Sequence, residues 1–192
     1  MAWTTPATAV AGSTALTAAF WNTNVRDQFN SMGLVHILTE SFTTAATVSV
    51  NNCFSNMFQN YKVVIQHTSS VGGLGTSYSI RLRVGGTDNT TASSYVRERS
   101  LSSAGVQSNS GSTGDSFSTV IIASATRCVA DITFARPFEA APTGFVMSSS
   151  RSNALTLAGG EHNQSTSYDG FSIIPSSGTT TGTIRVYGYL NG

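Results

Sequence analysis

The side chains best suited to acid–base or metal chemistry are few and scattered along the chain. Its 192 residues include three histidines, His36, His67 and His162, and two cysteines, Cys53 and Cys128. His36 lies in the apolar run VHIL and His67 ends the run YKVVIQH, so both are predicted to be strand residues. No His-x-x-x-His or Cys-x-x-Cys spacing is present that would hold a metal ion. The two thiols are predicted to be buried and free.

Two short segments could still be imagined as metal sites. The pair Glu161-His162 precedes Asp169 but has no further ligand at metal-binding spacing, so a polar loop tip is the preferred interpretation. The segment Gly85–Asn89 could offer oxygen ligands to calcium, yet a hairpin turn explains its glycines and its Asp and Asn equally well. The sequence therefore predicts no metal site and no cofactor. The Asn-x-Ser/Thr tripeptides at Asn89 and Asn163 are likewise predicted to be loop residues rather than glycan acceptors.

Signatures of catalysis are missing from the sequence. It has no Gly-x-Ser-x-Gly elbow, and its glycine-rich stretch Val71–Gly75 lacks the lysine and the following helix of a phosphate-binding loop. Any two of the nine acidic residues could meet in space as a glycosidase pair, but no spacing singles out such a pair. We expect no catalytic residues and no enzymatic activity.

The composition is dominated by hydroxyl side chains. The chain has 29 serines and 26 threonines, whereas charged residues make up 10% against about 25% in typical proteins. The formal net charge is +1 and Lys62 is the single lysine, so a basic surface for nucleic acid is not expected. No apolar run reaches the roughly 20 residues of a membrane span, and no signal peptide is expected. The low charge suits either Ser/Thr-rich strands or a surface packed against identical neighbours.

The pattern divides the chain into residues 1–33, an anchoring arm with a helix, and residues 34–192, a β-sandwich domain. Met1–Ala15 is predicted to be an extended arm, either docked on a partner or folded back on its own domain. Thr17–Met32 is predicted to be the one short α-helix, with Thr17 as its N-cap and Gly33 ending it. Its apolar stripe must pack on its own sheet or on symmetry mates. The anchoring residues are predicted to be Trp3, Pro6, Leu16, Phe20, Trp21, Val25, Phe29 and Met32.

From Val35 onward the sequence predicts a mainly β fold, an antiparallel jelly-roll-like sandwich. Alternation is clearest in Tyr78–Val84, which places Tyr78, Ile80, Leu82 and Val84 on one face. The other predicted strands are Phe42–Val50, Tyr61–Gln66, Tyr95–Arg99, Phe117–Ala123, Val129–Phe134, Gly144–Ser148, Ala154–Leu157, Gly170–Ile174 and Thr183–Leu190. The predicted turn-rich segments are Ser69–Thr76, Gly85–Thr91, Ser102–Gly114, Gly159–Ser167 and Pro175–Gly182.

The first thirty residues resemble an N-terminal module of bacteriophage structural proteins. The resemblance lies in Trp3-Thr4-Thr5-Pro6, Val10-Ala11-Gly12, Leu16-Thr17-Ala18-Ala19 and the run from Trp21 to Asn30, WNTNVRDQFN. Trp21 stands where that module usually has leucine. The runs FSNMFQNYKVVI, RLRVGG and GTIRVYG resemble β-domains of phage tail fibres and capsid-decorating proteins. The resemblance implies a virion protein, assembled in the bacterial cytoplasm, that forms a homotrimer and contacts other virion proteins.

Two functions of a virion protein remain open from the sequence. The first is a short tail fibre or fibre-tip subunit, whose sandwich would contact a host surface glycan. The second is a capsid cement or decoration protein that stabilises the head shell. For a fibre, Tyr95, Tyr168 and Phe171 are candidate aromatic contacts to a sugar, with ordinary sandwich packing as the alternative for all three. Neither function involves nucleic-acid binding or membrane insertion.

Overall fold

The computed structural model describes residues 33–71, 76–122 and 127–189, and these residues form antiparallel β-structure. The predicted arm and helix, with all eight predicted anchoring residues, lie outside the described residues. The strands are β1 (Leu34–Ala45), β2 (Val48–Val50), β3 (Asn60–Val71), β4 (Ser77–Val84), β5 (Thr87–Asp88), β6 (Tyr95–Ser103), β7 (Val106–Gly114), β8 (Phe117–Ile122), β9 (Cys128–Ala135), β10 (Thr143–Arg151), β11 (Ala154–His162), β12 (Gly170–Pro175) and β13 (Thr179–Tyr189).

The strands form two sheets that pack face to face. The larger sheet has eight strands in the order β1-β13-β3-β9-β10-β11-β6-β7, and the smaller contains β2-β12-β4-β5 with β8 also paired to β4. Ring contacts join the two sheets: Phe134 of β9 lies 5.8 Å from Phe171 of β12, and Phe117 of β8 lies 4.0 Å from Phe145 of β10. This confirms the predicted β-sandwich, because alternate residues of both sheets meet in one core.

Period-two alternation places the core face as the sequence predicts. In β4, Tyr78, Ile80 and Leu82 are buried, whereas Val84 at the end of the strand is 44% exposed and does not join them. The glycine turn after β4 is also confirmed. Gly85 and Gly86 adopt φ values of 57° and 80° and connect β4 to β5. Positive φ at both central residues is typical of a tight hairpin turn.

Several of the predicted element boundaries are wrong, including those of the turns Ser69–Thr76 and Pro175–Gly182, into which β3 and β13 extend. The predicted strand Phe42–Val50 is divided between β1 and β2, which belong to different sheets, so the chain crosses the sandwich after Ala45. Part of the predicted loop Gly159–Ser167 continues β11 as far as His162. Most importantly, the predicted loop Ser102–Gly114 contains the end of β6 and the whole of β7, a regular nine-residue strand at the edge of the larger sheet.

Candidate binding face on the larger sheet

The three aromatic residues predicted to contact a sugar are not available for that role. Tyr95, Tyr168 and Phe171 are each 0% exposed. Tyr95 packs edge-on against Phe117 with ring centroids 4.9 Å apart, and its hydroxyl donates to Asn89 O over 2.9 Å. An aromatic platform for a sugar needs a ring face open to solvent, and all three rings are instead part of the core. The alternative of ordinary sandwich packing is the one observed.

The predicted position of His162 is also corrected, because it is a core residue rather than part of a loop tip. Its Nε2 lies 2.5 Å from Tyr168 Oη, and its ring centroid lies 4.0 Å from that of Tyr95. Asn89 Nδ2 donates to Tyr168 Oη over 2.8 Å, so the tyrosine can donate its own proton to the imidazole. Burial lowers the pKa of His162 to about 4. The residue is therefore a neutral packing element at ordinary pH.

The acidic residues near His162 do not assemble a metal site. Glu161 is exposed while His162 is buried, because neighbouring residues of a strand point to opposite faces. Asp169 binds backbone instead, its Oδ2 accepting from Gly85 N over 2.9 Å. Among the described residues no group of three His, Cys, Asp or Glu side chains could hold a metal ion. Cys53 and Cys128 are both buried, as predicted, and no disulfide joins them.

A shallow concavity of about 600 Å³ opens on the outer face of the larger sheet. It lies across β10, β11, β6 and β7, and we call it the outer-face cleft. Glu98, Ser100, Val146 and Leu157 project outward, because they occupy the solvent-facing register of their strands: Ser100 lies opposite Leu157, and Gly159 lies between Glu98 and Val146. Arg99, Met147 and Ala158 occupy the opposite, core-facing register and border the cleft from beneath. The lining residues are Glu98, Arg99, Ser100, Gln107, Asn109, Val146, Met147, Leu157, Ala158 and Gly159.

The polar side of the outer-face cleft is formed by β6 and β7. Gln107 Nε2 donates to Ser100 Oγ over 3.1 Å, which orients the amide and leaves its carbonyl oxygen free to accept another hydrogen bond. The carboxylate of Glu98 lies over Gly111, where a Cβ atom would collide with Glu98 Oε1. Glycine at this position thus lets the carboxylate lie across β7 toward the sheet edge.

The opposite side of the outer-face cleft is aliphatic. Val146 is 67% exposed and Leu157 is 50% exposed, and the two are diagonal neighbours on β10 and β11. Leu155 extends this apolar surface along β11 and is 45% exposed. Exposed aliphatic groups beside hydroxyl, amide and carboxylate groups suit a ligand that has both C–H surfaces and hydroxyls. Among the described residues that line the cleft, Glu98 supplies the one carboxylate.

Sequence reasoning missed this face because it assigned β7 to a loop. Gln107 and Asn109 belong to the run VQSNSGSTG, whose composition is typical of turns. The exposed leucines of β11, Leu155 and Leu157, fall in the predicted strand Ala154–Leu157. Their alternation with Thr156 was the one feature of the sequence that could have indicated an apolar outer face. No helix in the described part of the chain has the length and apolar character that a membrane crossing requires.

No protein-family model matches the chain, and no curated protein matches it. Among solved structures, a GH43 protein, BlXynB of Bacillus licheniformis, is similar at 11% identity and a TM-score of 0.32, covering 68% of this chain and 27% of that one. This chain thus spans about a quarter of that protein. The CBM40 of the Ruminococcus gnavus IT-sialidase, bound to α2,6 sialyllactose, is similar at 10% identity and a TM-score of 0.28. This match covers 82% of this chain and 94% of that one.

A third similar structure is the CBM2 module of the evolved Dit of Lactobacillus casei BL23 phage J-1. It is 11% identical, with a TM-score of 0.28, and the match covers 79% of this chain and 76% of that one. Likenesses at this level do not identify a function.

Proposed function

We propose that this chain is a non-enzymatic structural protein of a bacteriophage particle, a short tail fibre or fibre-tip subunit with a jelly-roll-like sandwich. The observation that carries the proposal is the resemblance of residues 3–30 to the N-terminal module of phage structural proteins. In the proposal, Trp3, Pro6 and the stripe through Trp21 attach the chain to other virion proteins. The sandwich then projects outward toward the host, after assembly in the bacterial cytoplasm.

The outer-face cleft supports the host-contact part of the proposal. Ser100, Gln107 and Glu98 offer hydroxyl, amide and carboxylate groups, and Val146 with Leu157 offers an aliphatic surface. Sugars present both hydroxyl groups and C–H faces, so a host surface glycan matches this combination. The single carboxylate favours a neutral or amino sugar over an anionic one, because like charges repel.

The host contact is tested by blocking the outer-face cleft. The double variant Val146→Lys/Leu157→Lys should lower binding of the full-length protein to host cells by roughly ten-fold or more, because it removes apolar contact and fills the cleft. Val84→Lys is the matched control, since Val84 is also exposed but lies on the smaller sheet. Equal binding by both variants would show that this face is not the host contact.

A capsid cement or decoration protein is the second candidate function. The exposed aliphatic residues favour it, since apolar surface of this kind also suits contact with neighbouring subunits. Electron microscopy of purified particles, labelled with antibody against this chain, separates the two functions. Label at the tail tip supports a fibre, and label spread over the head supports decoration. Particles without label would refute both.

A further inference from the structure

The two edges of the eight-stranded sheet differ in how they are protected. β1 forms one edge, has register shifts between His36 and Leu38 and between Phe42 and Ala45, and contains the charged Glu40. Bulges and charges are the usual devices that keep an edge strand from pairing with another chain. β7 forms the other edge and has neither device. Its nine residues pair with β6 without a register shift and include no proline and no charged side chain.

No residue of β7 is buried, so both faces of the strand are at least partly open. Among the described residues, β6 and β8 supply the partners of β7: Arg97 Nη1 donates to Ser110 O over 2.9 Å, and Ser112 Oγ lies 3.1 Å from Ser118 Oγ. The far side of a regular edge strand presents a row of backbone N–H and C=O groups. Such a row can accept one more antiparallel strand.

We propose that β7 pairs with β7 of a second copy of this chain, antiparallel and about a two-fold axis at Ser110. Ser110 is the midpoint of Val106–Gly114, so only this register pairs all nine residues. It brings no like charges together, and the two larger sheets would become one. The paired residues would be Val106 with Gly114, Gln107 with Thr113, Ser108 with Ser112, Asn109 with Gly111, and Ser110 with itself.

The position of Glu98 supplies the specific complementarity for this pairing. Its carboxylate lies over Gly111, toward the open edge. In the proposed register, the residue opposite Gly111 is Asn109 of the second copy. Asn109 shares the outer face with Glu98, since it pairs with the outward-facing Ser100. The partner's amide would then donate to the carboxylate of Glu98. Because of the two-fold axis, the same hydrogen bond forms at two symmetry-related positions. Hydrogen bonds to charged acceptors are stronger than those between neutral groups.

This contact is independent of the proposed virion role. It requires an even number of copies, and together with a three-fold contact it would give six. Loss of the β7 contact therefore halves the mass in solution, whether or not other contacts operate.

Cross-linking tests the register of the pairing. In the full-length variant Ser110→Cys, the two introduced cysteines would face each other with Cα atoms about 4.5–5.5 Å apart, a separation that permits a disulfide. Mild oxidation should yield a reducible covalent dimer. Ser108→Cys is the matched control, because its own counterpart lies four residues further along the partner strand. Equal cross-linking of the two variants, or none in either, would overturn the proposal.

A charge exchange tests the same contact without a covalent bond. Asn109→Asp would oppose Glu98 with a like charge and should halve the mass measured by light scattering. The double variant Glu98→Gln/Asn109→Asp should restore the original mass, since a neutral amide again faces a carboxylate. A mass that is unchanged by Asn109→Asp, or not restored by the second substitution, contradicts the pairing.

Discussion

At the scale of single residues, Arg83 shows how one buried charge is held in the smaller sheet. Its Nη1 donates to Asp88 Oδ1 and, over 2.7 Å, to Ser172 Oγ; its Nε donates to Asn51 Oδ1 over 2.9 Å, and its Nη2 to Gly86 O. The Arg83 side chain is 10% exposed, and that of Asp88 is 20% exposed. The stability of an ion pair this buried depends on partners for the N–H groups of the arginine, because removal of one charged residue leaves the other charge buried and unpaired.

Substituting Arg83 should therefore be costly. We expect Arg83→Met to lower the free energy of unfolding by about 3–5 kcal/mol, because Asp88 would remain buried without its cation. Arg81→Met is the matched control on the same strand. Its partner Asp115 is 51% exposed, so the expected loss is about 1 kcal/mol or less. Urea denaturation of both variants measures the difference, and similar losses would mean that burial does not distinguish the two pairs.

His162 should make the fold sensitive to mild acid. Burial lowers the pKa of the imidazole from 6.5 to about 4, so the unfolded chain binds a proton more readily than the folded one. The neutral imidazole of His162 makes its full contribution to the free energy of unfolding above pH 6.5. This contribution declines as the pH falls from 6.5 to 4, and it does not change further below pH 4. The total is on the order of 3 kcal/mol. Unfolding free energies at pH 7, 5.5 and 4 should fall more steeply for the wild type than for His162→Gln. Parallel slopes would contradict this role.

At the scale of elements, the hairpin β6–β7 depends on a turn with an unusual residue. Ala104 and Gly105 have φ values of 50° and 80°, which is the conformation of a two-residue primed turn. Ala104 N also donates to Asn153 O over 3.1 Å, so this turn binds the β10–β11 turn beside it. Alanine adopts positive φ only at a cost, whereas glycine does not. The hairpin that forms the polar side of the outer-face cleft is therefore held in a mildly strained turn.

Relief of this strain should be measurable. We expect Ala104→Gly to raise the free energy of unfolding by about 0.5–1 kcal/mol, because the positive φ is retained without a Cβ clash. Gly105→Ala should act in the opposite direction by a similar or larger amount. Thermal melts of the two variants and the wild type provide the comparison. A destabilised Ala104→Gly variant would show that the turn is not strained at this residue.

At the scale of the whole molecule, the sandwich core is built from residues that follow the predicted anchoring segment. The buried hydrophobic residues of the described part run from Val48 to Val186. The described strands of both sheets lie within Leu34–Tyr189, and β13, the last of them, lies between β1 and β3. Strands from the two ends of the described residues are thus neighbours in the larger sheet.

Removal of residues 1–33 tests the division into an anchor and a domain. We expect the chain that starts at Leu34 to keep a cooperative transition, with its free energy of unfolding within about 1 kcal/mol of the full-length value. The same truncation should abolish incorporation into particles. Circular dichroism melts and analysis of purified particles measure the two effects separately. An unfolded truncated chain would show that the N-terminal segment belongs to the core.

Strand periodicity and turn chemistry in the sequence were enough to predict much of the fold. Tyr78, Ile80 and Leu82 alternate with polar residues, and that period alone places them on the core face. Gly85 and Gly86 mark their turn because few other residues adopt positive φ without strain. These are local properties, so they can be read without knowledge of distant residues.

The tertiary structure alone decided where the outer-face cleft lies and which aromatic residues are buried. The run Val106–Gly114 has weak intrinsic strand preference, and it becomes a strand through pairing with β6 and through Arg97 donating to Ser110. Tyr95, Tyr168 and His162 are equally compatible with a surface or a core until β6, β11 and the loop before β12 meet around them. In both cases the deciding free energy comes from contacts between residues far apart in the chain, which no local pattern encodes.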